Sequence, residues 1–150
     1  MSSRHSRLIG ISTILTGLLL ATGVATAAAG GQTVITLNSL SSGETFTATG
    51  GVVCPSGTAT TDFRKFGGSV TGAGAAGSFH LTKTLVCTDG SGSFTIEVDA
   101  ATVFGSPGDQ GGWGVLSGTG AYATLSGGGN LVGTYVTDGI IDTYTGSLRK

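Results

Sequence analysis

The side chains suited to chemistry are few. Past residue 27 there is a single histidine, His80, in an alternating run with Thr82 and Thr84, while a second run carries Glu97 and Asp99. If the two runs pair as a hairpin, His80 faces Asp99. An imidazole oriented by a carboxylate, with Ser78 or Thr82 as hydroxyl, is the core of a Ser-His-acid site. The pattern stops short of one. No G-x-S-x-G elbow occurs in the chain, and one histidine cannot build a multi-His metal centre. Alternation puts His80 on the wetter face of its hairpin, as a surface residue. No catalytic residue, metal or other cofactor is assigned.

Asp142 is the better candidate. It shares strand parity with Ile140, Tyr144 and Leu148, and across a hairpin with Leu131 and Tyr135. A carboxyl group among aromatic and aliphatic neighbours holds its proton to higher pH, and such perturbed acids often mark functional sites. The plainer alternative is a buried Asp–Tyr hydrogen bond that fixes the hairpin. A one-residue slip of register would turn Asp142 to water. Together with Trp113, Tyr135 and Tyr144, Asp142 forms a candidate set for holding a small apolar or aromatic ligand.

Two glycine patterns imitate a nucleotide site. Gly72-x-Gly74-x-x-Gly77 matches the dinucleotide fingerprint by letter, with Glu97 where a ribose-binding acid would be wanted. That motif works only where it opens a helix whose N-terminus holds the pyrophosphate. Residues 78–87 alternate as a strand instead, so the glycines read as a flexible loop. The same objection removes Gly118-x-Gly120-x-x-Ala123.

The elements that must position these residues follow from composition and periodicity. Arg4, His5 and Arg7 precede an apolar run over residues 8–20, and Ala25, Thr26 and Ala27 supply small residues for cleavage. Residues 1–27 therefore read as a signal peptide, with cleavage after Ala27, or almost equally after Ala29. The competing reading, a membrane anchor, needs about 20 apolar residues, more than this run offers. The expectation is a secreted chain with no membrane association after cleavage and one domain over residues 28–150. Two of the seven Lys and Arg lie in the leader, leaving five against eight acidic residues. That balance argues against a nucleic-acid partner. The 29 glycines would suit a disordered chain. Against disorder, Val, Ile, Thr, Phe and Tyr recur with period two between Gly, Asp and Ser, as in short strands joined by tight turns.

Residues 113–129, WGVLSGTGAYATLSGGG, organise the rest. Trp113, Val115 and Ser117 would share one face of a strand that stops at a corner of Gly118, Thr119 and Gly120. Tyr122 and Leu125, three apart on a single turn, would then plug one end of the sheet. Earlier in the chain, Phe63 and Phe66 read as buried anchors, and residues 105–112 as a mobile loop. Asp89-Gly90 suggests a type I′ hairpin that pairs Leu85 with Phe94 and Leu81 with Val98. Lys83, on its apolar face, would snorkel at a rim. Asp138-Gly139 suggests a second hairpin, which would pair Tyr135 with Asp142 and lay Tyr144 across Gly133. With eight or nine strands and no amphipathic helix to cover them, the sheet must pack on itself or close. An all-β fold, a small antiparallel barrel of about eight strands, is expected.

Cys54 and Cys87 are the only cysteines. In an oxidising compartment they would pair, closing a loop of about 34 residues for about 3–4 kcal/mol at most. A reactive free pair or a metal site lacks the spacing.

Cys54-Pro55-Ser56-Gly57-Thr58, residues 83–92 (KTLVCTDGSG) and Trp113-Gly114-Val115 followed by GTGAYA at 118–123 resemble small secreted actinobacterial proteins. These are grouped with the allene oxide cyclase and dirigent-like barrels. The resemblance covers roughly residues 44–148, and it implies an eight-stranded antiparallel barrel with an apolar cavity. It does not carry over the plant activities, because only the glycine corner aligns. Three readings stand: a ligand-binding barrel, a barrel with a filled interior and a structural or interaction role, and an isomerase or cyclase assisted by Asp142. The first requires an open volume of at least ~300 Å³ near Trp113 and Tyr144. The third needs, besides, two polar groups converging there.

Overall fold

A computed structural model describes residues 30–68 and 75–150. The leader and the first two glycines of the Gly72 motif lie outside them; Gly77 sits within a strand, away from any helix start. The described chain forms β1 (Gly31–Leu40), β2 (Gly43–Thr49), β3 (Ser56–Gly68), β4 (Ala76–Cys87), β5 (Ser93–Val103), β6 (Asp109–Gly118), β7 (Ser126–Val136) and β8 (Gly139–Arg149). A single 3-10 turn, Gly120–Tyr122, separates β6 from β7. Each strand pairs antiparallel with its chain neighbours, and β1 with β8, closing the barrel.

Alternation puts one side chain in two into the lumen. At the end that holds the Cys54–Cys87 disulfide, the lumen is filled. Phe46 meets Phe94 edge-on at 6.0 Å, and Phe94 meets Tyr122 at 5.6 Å. Tyr122 and Leu125 are buried, as expected of a plug. The Tyr122 hydroxyl lies 2.9 Å from Ser91 Oγ, which ties the plug to the β4–β5 turn. One tier further in, Trp113 and Tyr144 meet edge-on at 5.9 Å.

Several local expectations are corrected. The β4–β5 pairs Leu85–Phe94 and Leu81–Val98 are as expected, but the turn is not type I′. Asp89 does not take a positive φ; Gly90 and Gly92 do. Asp89 Oδ1 instead accepts from the Ser91 backbone N–H at 2.9 Å, the local side-chain bond that Asp offers in turns. The β7–β8 turn consists of Thr137 and Asp138, so Gly133 faces Asp142, Leu131 faces Tyr144 and Tyr135 faces Ile140. A slip of two preserves the face of every side chain, so Asp142 and Tyr144 still point inward. Residues 109–112 belong to β6 rather than to a loop. A register shift between Thr95 and Ile96 leaves Leu116 unpaired, and Ser117 turns outward, away from the face of Trp113.

Phe63 and Phe66 are 67% and 49% exposed, not buried anchors. Between Phe63 and Lys65 the β3–β4 register shifts by one residue, which brings both rings to the inward side. They sit where β3 has outrun β2, which pairs with it only from Ser56 to Thr58.

The 118–120 corner depends on glycine. Gly120 has φ +57°, and a Cβ there would run into the Ser91 carbonyl oxygen; a Cβ on Gly118 would run into that of Tyr122. Gly120→Val is therefore expected to abolish the cooperative melt or to cost at least ~3 kcal/mol, by circular dichroism. Gly112→Ala, whose nearest neighbouring atom is 3.7 Å from the new methyl, is the tolerant control. A Gly120→Val melt equal to wild type would refute the corner.

Candidate functional site

The other half of the lumen is not filled. A cavity of about 230 Å³ lies between the open ends of the strands. Phe79, Leu81, Val98, Ala100 and Leu131 supply apolar wall, Phe63, Tyr135 and Ile140 also line it, and Asp109, Asp142, Lys83 and Glu44 give one polar side. Tyr135 is 44% exposed, which places it at the mouth. Among the candidate ligand residues, Tyr135, Asp142 and Tyr144 come together here. Trp113 does not; it is buried below, filling the lumen. Its ring lies beside bare Gly146, where a Cβ would sit 3.0 Å from Trp113 Cζ2. This aromatic-over-glycine contact replaces the expected one between Tyr144 and Gly133. Trp113 Nε1 is buried with no hydrogen-bond partner among the described residues.

The polar side is built around Lys83, which is buried at 4% exposure rather than snorkelling at a rim. Its Nζ donates to Thr61 Oγ1 at 2.9 Å and Ser39 Oγ at 3.1 Å. It lies 3.5 Å from Glu44 Oε1 and 3.6 Å from Asp142 Oδ2. Thr61 Oγ1 donates in turn to Glu44 Oε1 at 2.6 Å. The Tyr144 hydroxyl donates to Asp142 Oδ2 at 3.1 Å. One ammonium thus bridges carboxylates from β2 and β8, two strands that are not neighbours in the sheet.

Asp142 Oδ1 and Asp109 Oδ1 are buried without a hydrogen-bond partner among the described residues. Both aim at one point above Gly133. A Cβ there would collide with Asp109 Oδ1 and lie 2.8 Å from both Asp142 Oδ1 and Ile140 Cδ1. Only glycine at 133 leaves room for two carboxylates facing each other.

These surroundings set the protonation equilibria. Burial pushes the Asp109 carboxyl up to about 6, helped by Asp142 and opposed by Lys83. Burial also raises Asp142, against the pull of Lys83 and the Tyr144 hydroxyl. Burial would raise Glu44 too, but hydrogen bonds from Thr61 and Ser39 and the Lys83 charge hold it below its ordinary value. Tyr144 is raised by burial and by the Asp142 charge, so it remains a donor.

Lys83, Glu44 and Asp109 carry much of this chemistry, and none was a candidate from sequence. Lys83 shares parity with buried Leu81 and Leu85, and Glu44 with buried Phe46, so opposite charges on inward positions were the available signal. Asp109 lay hidden in a glycine-rich stretch, although it is four residues before Trp113 and hence on its face. His80 and Asp99 do meet, at 2.8 Å. With Glu97 they form a group within 4.8 Å on the outer surface. Ser78 Oγ donates to the Gly67 carbonyl at 3.4 Å.

Asp109 binds a proton more tightly in the folded chain than in the unfolded one. Its proton therefore favours folding at low pH, and that contribution is lost as pH rises from about 4 through about 6. Asp109→Asn is expected to melt higher than wild type near neutral pH and to lose that advantage toward about pH 4. Lys83→Met leaves buried carboxylates uncompensated and is expected to cost about 3–5 kcal/mol near neutral pH by urea denaturation. Compared with known proteins, the chain matches no family model, no curated protein and no solved structure.

Proposed function

We propose that this chain is a secreted, non-catalytic barrel that holds a small apolar or aromatic ligand in the open half of its lumen. The observation that carries the reading is the 230 Å³ cavity: its walls are mainly apolar, and its polar side holds two partnerless buried oxygens. Such a mix of hydrophobic lining and a few placed polar groups is typical of ligand sites. The volume falls short of the ~300 Å³ expected from the sequence, and Trp113 does not line it, so the reading narrows to a ligand no larger than a single ring with a short tail. The leader-like residues 1–27 and the Cys54–Cys87 bridge support export, since disulfides persist in oxidising compartments. The eight-stranded barrel suits a place beside the allene oxide cyclase and dirigent-like proteins, to which the W…GTGAYA segment points.

One observation favours a second reading, an isomerase or cyclase. Asp109 and Asp142 converge at the cavity, the paired polar groups such a reaction would need. The two readings part on whether the bound molecule leaves unchanged.

Native mass spectrometry of the protein purified from its own culture medium tests the proposal. A co-purifying small molecule is expected, and it should be absent from Ala100→Phe, in which a ring replaces the methyl that lines the cavity. Wild type and Ala100→Phe both emerging empty, with neither binding added small aromatics, would overturn it.

A further inference from the structure

The polar side of the cavity carries more negative than positive side chains. Among the described residues, Glu44, Asp109 and Asp142 share one ammonium, Lys83. Lys83 is directed at Asp142 Oδ2, and the Tyr144 hydroxyl binds that same oxygen. Asp142, 4% exposed, is left with Oδ1 bare. Asp109 Oδ1 is bare beside it, and the missing side chain at Gly133 lets both oxygens converge there. Two convergent acceptors with no donor, next to an apolar chamber open at Tyr135, match a ligand with a cationic donor head and a hydrophobic body. We propose that Asp109 and Asp142 form an ammonium site and that the lumen takes a small primary amine with an apolar or aromatic body. This rests on the lumen being a ligand site.

An ammonium fits better than a metal ion. Calcium takes about six to eight oxygen ligands and magnesium a near-ideal octahedron, whereas the rest of this chamber is mainly hydrocarbon. The ammonium offers three donors, so it can bond both carboxylates, and charge-assisted hydrogen bonds are roughly twice as strong as neutral ones.

Isothermal titration of the purified protein with 2-phenylethylamine and with 2-phenylethanol separates the claims, because the two probes differ only in the head group. The amine is expected to bind about tenfold tighter or more. Asp109→Asn, a change at the half-buried member of the pair, should remove most of that advantage and change the alcohol's affinity much less. Acidification through about pH 6 should weaken the amine selectively, as Asp109 takes up a proton among the Asp142, Glu44, Lys83 and Tyr144 side chains that face it. Equal affinities for the two probes would overturn the ammonium site and leave the lumen reading standing; binding of neither would overturn both. Displacement of the amine by calcium chloride would reassign the pair to a metal and also overturn the site.

Discussion

Pairing of β1 with β8 over ten positions, Gly31–Leu148 through Leu40–Gly139, constrains everything inside. Closure gives every strand a partner on both sides, though β3 beyond Thr58 has left β2, and a strand so held cannot rotate to relieve an awkward side chain. Parity then decides each residue's fate. Glu44, Lys83, Asp109 and Asp142 occupy inward positions, and the only place for their charges is the lumen. There they must satisfy one another, because unpaired burial of a charge costs several kcal/mol. The Lys83 bridge from Glu44 to Asp142 is that requirement met across the barrel.

Filling differs between the two ends for reasons visible in the residues. At the disulfide end, Phe46, Phe94 and Tyr122 form an edge-to-face series. Trp113 and Tyr144 cap that packed half from above. Above Tyr144, Ala100 and Gly133 stand where large side chains would be needed to continue the packing, and charged residues replace the aliphatics. The β3 strand also runs beyond β2 on this side, so the wall is lower and Phe63 reaches the surface. The plugged end and the open end together make a cup. Its floor is the Tyr144 hydroxyl and the carboxylate that it binds.

Face was legible in the sequence where register was not. The β7–β8 turn slipped by two from the expected Asp138-Gly139, which changed every cross-strand partner and no side chain's direction; Asp142 and Tyr144 therefore still faced inward. At Asp89-Gly90 the reverse error occurred, with the right register and the wrong turn, since an Asp side chain can close a turn by its own hydrogen bond. Bulges defeated parity outright. The extra residue near Arg64 put Phe63 and Phe66 on one side, and that at Leu116 turned Ser117 outward, because inserting one residue reverses a period of two. Trp113 was read as a lining residue because parity reports which way a side chain points and not how deep it sits.

The site was half legible for a related reason. A lone inward charge such as Lys83 looks like an error in an apolar pattern until its partners are known, and those partners come from β1, β2, β3 and β8. Three strands separate Lys83 from Asp142 by either route around the barrel, and only the lumen separates them across it. Pattern reading follows the sheet, whereas electrostatics crosses the interior. The same crossing explains why the cluster is costly to keep. Buried carboxyls raised by desolvation oppose folding at neutral pH, and aliphatic residues in their place would pack without that penalty. Of the inward positions, the costly ones stand together beside the cavity. Shape and charge thus point to the same half of the barrel.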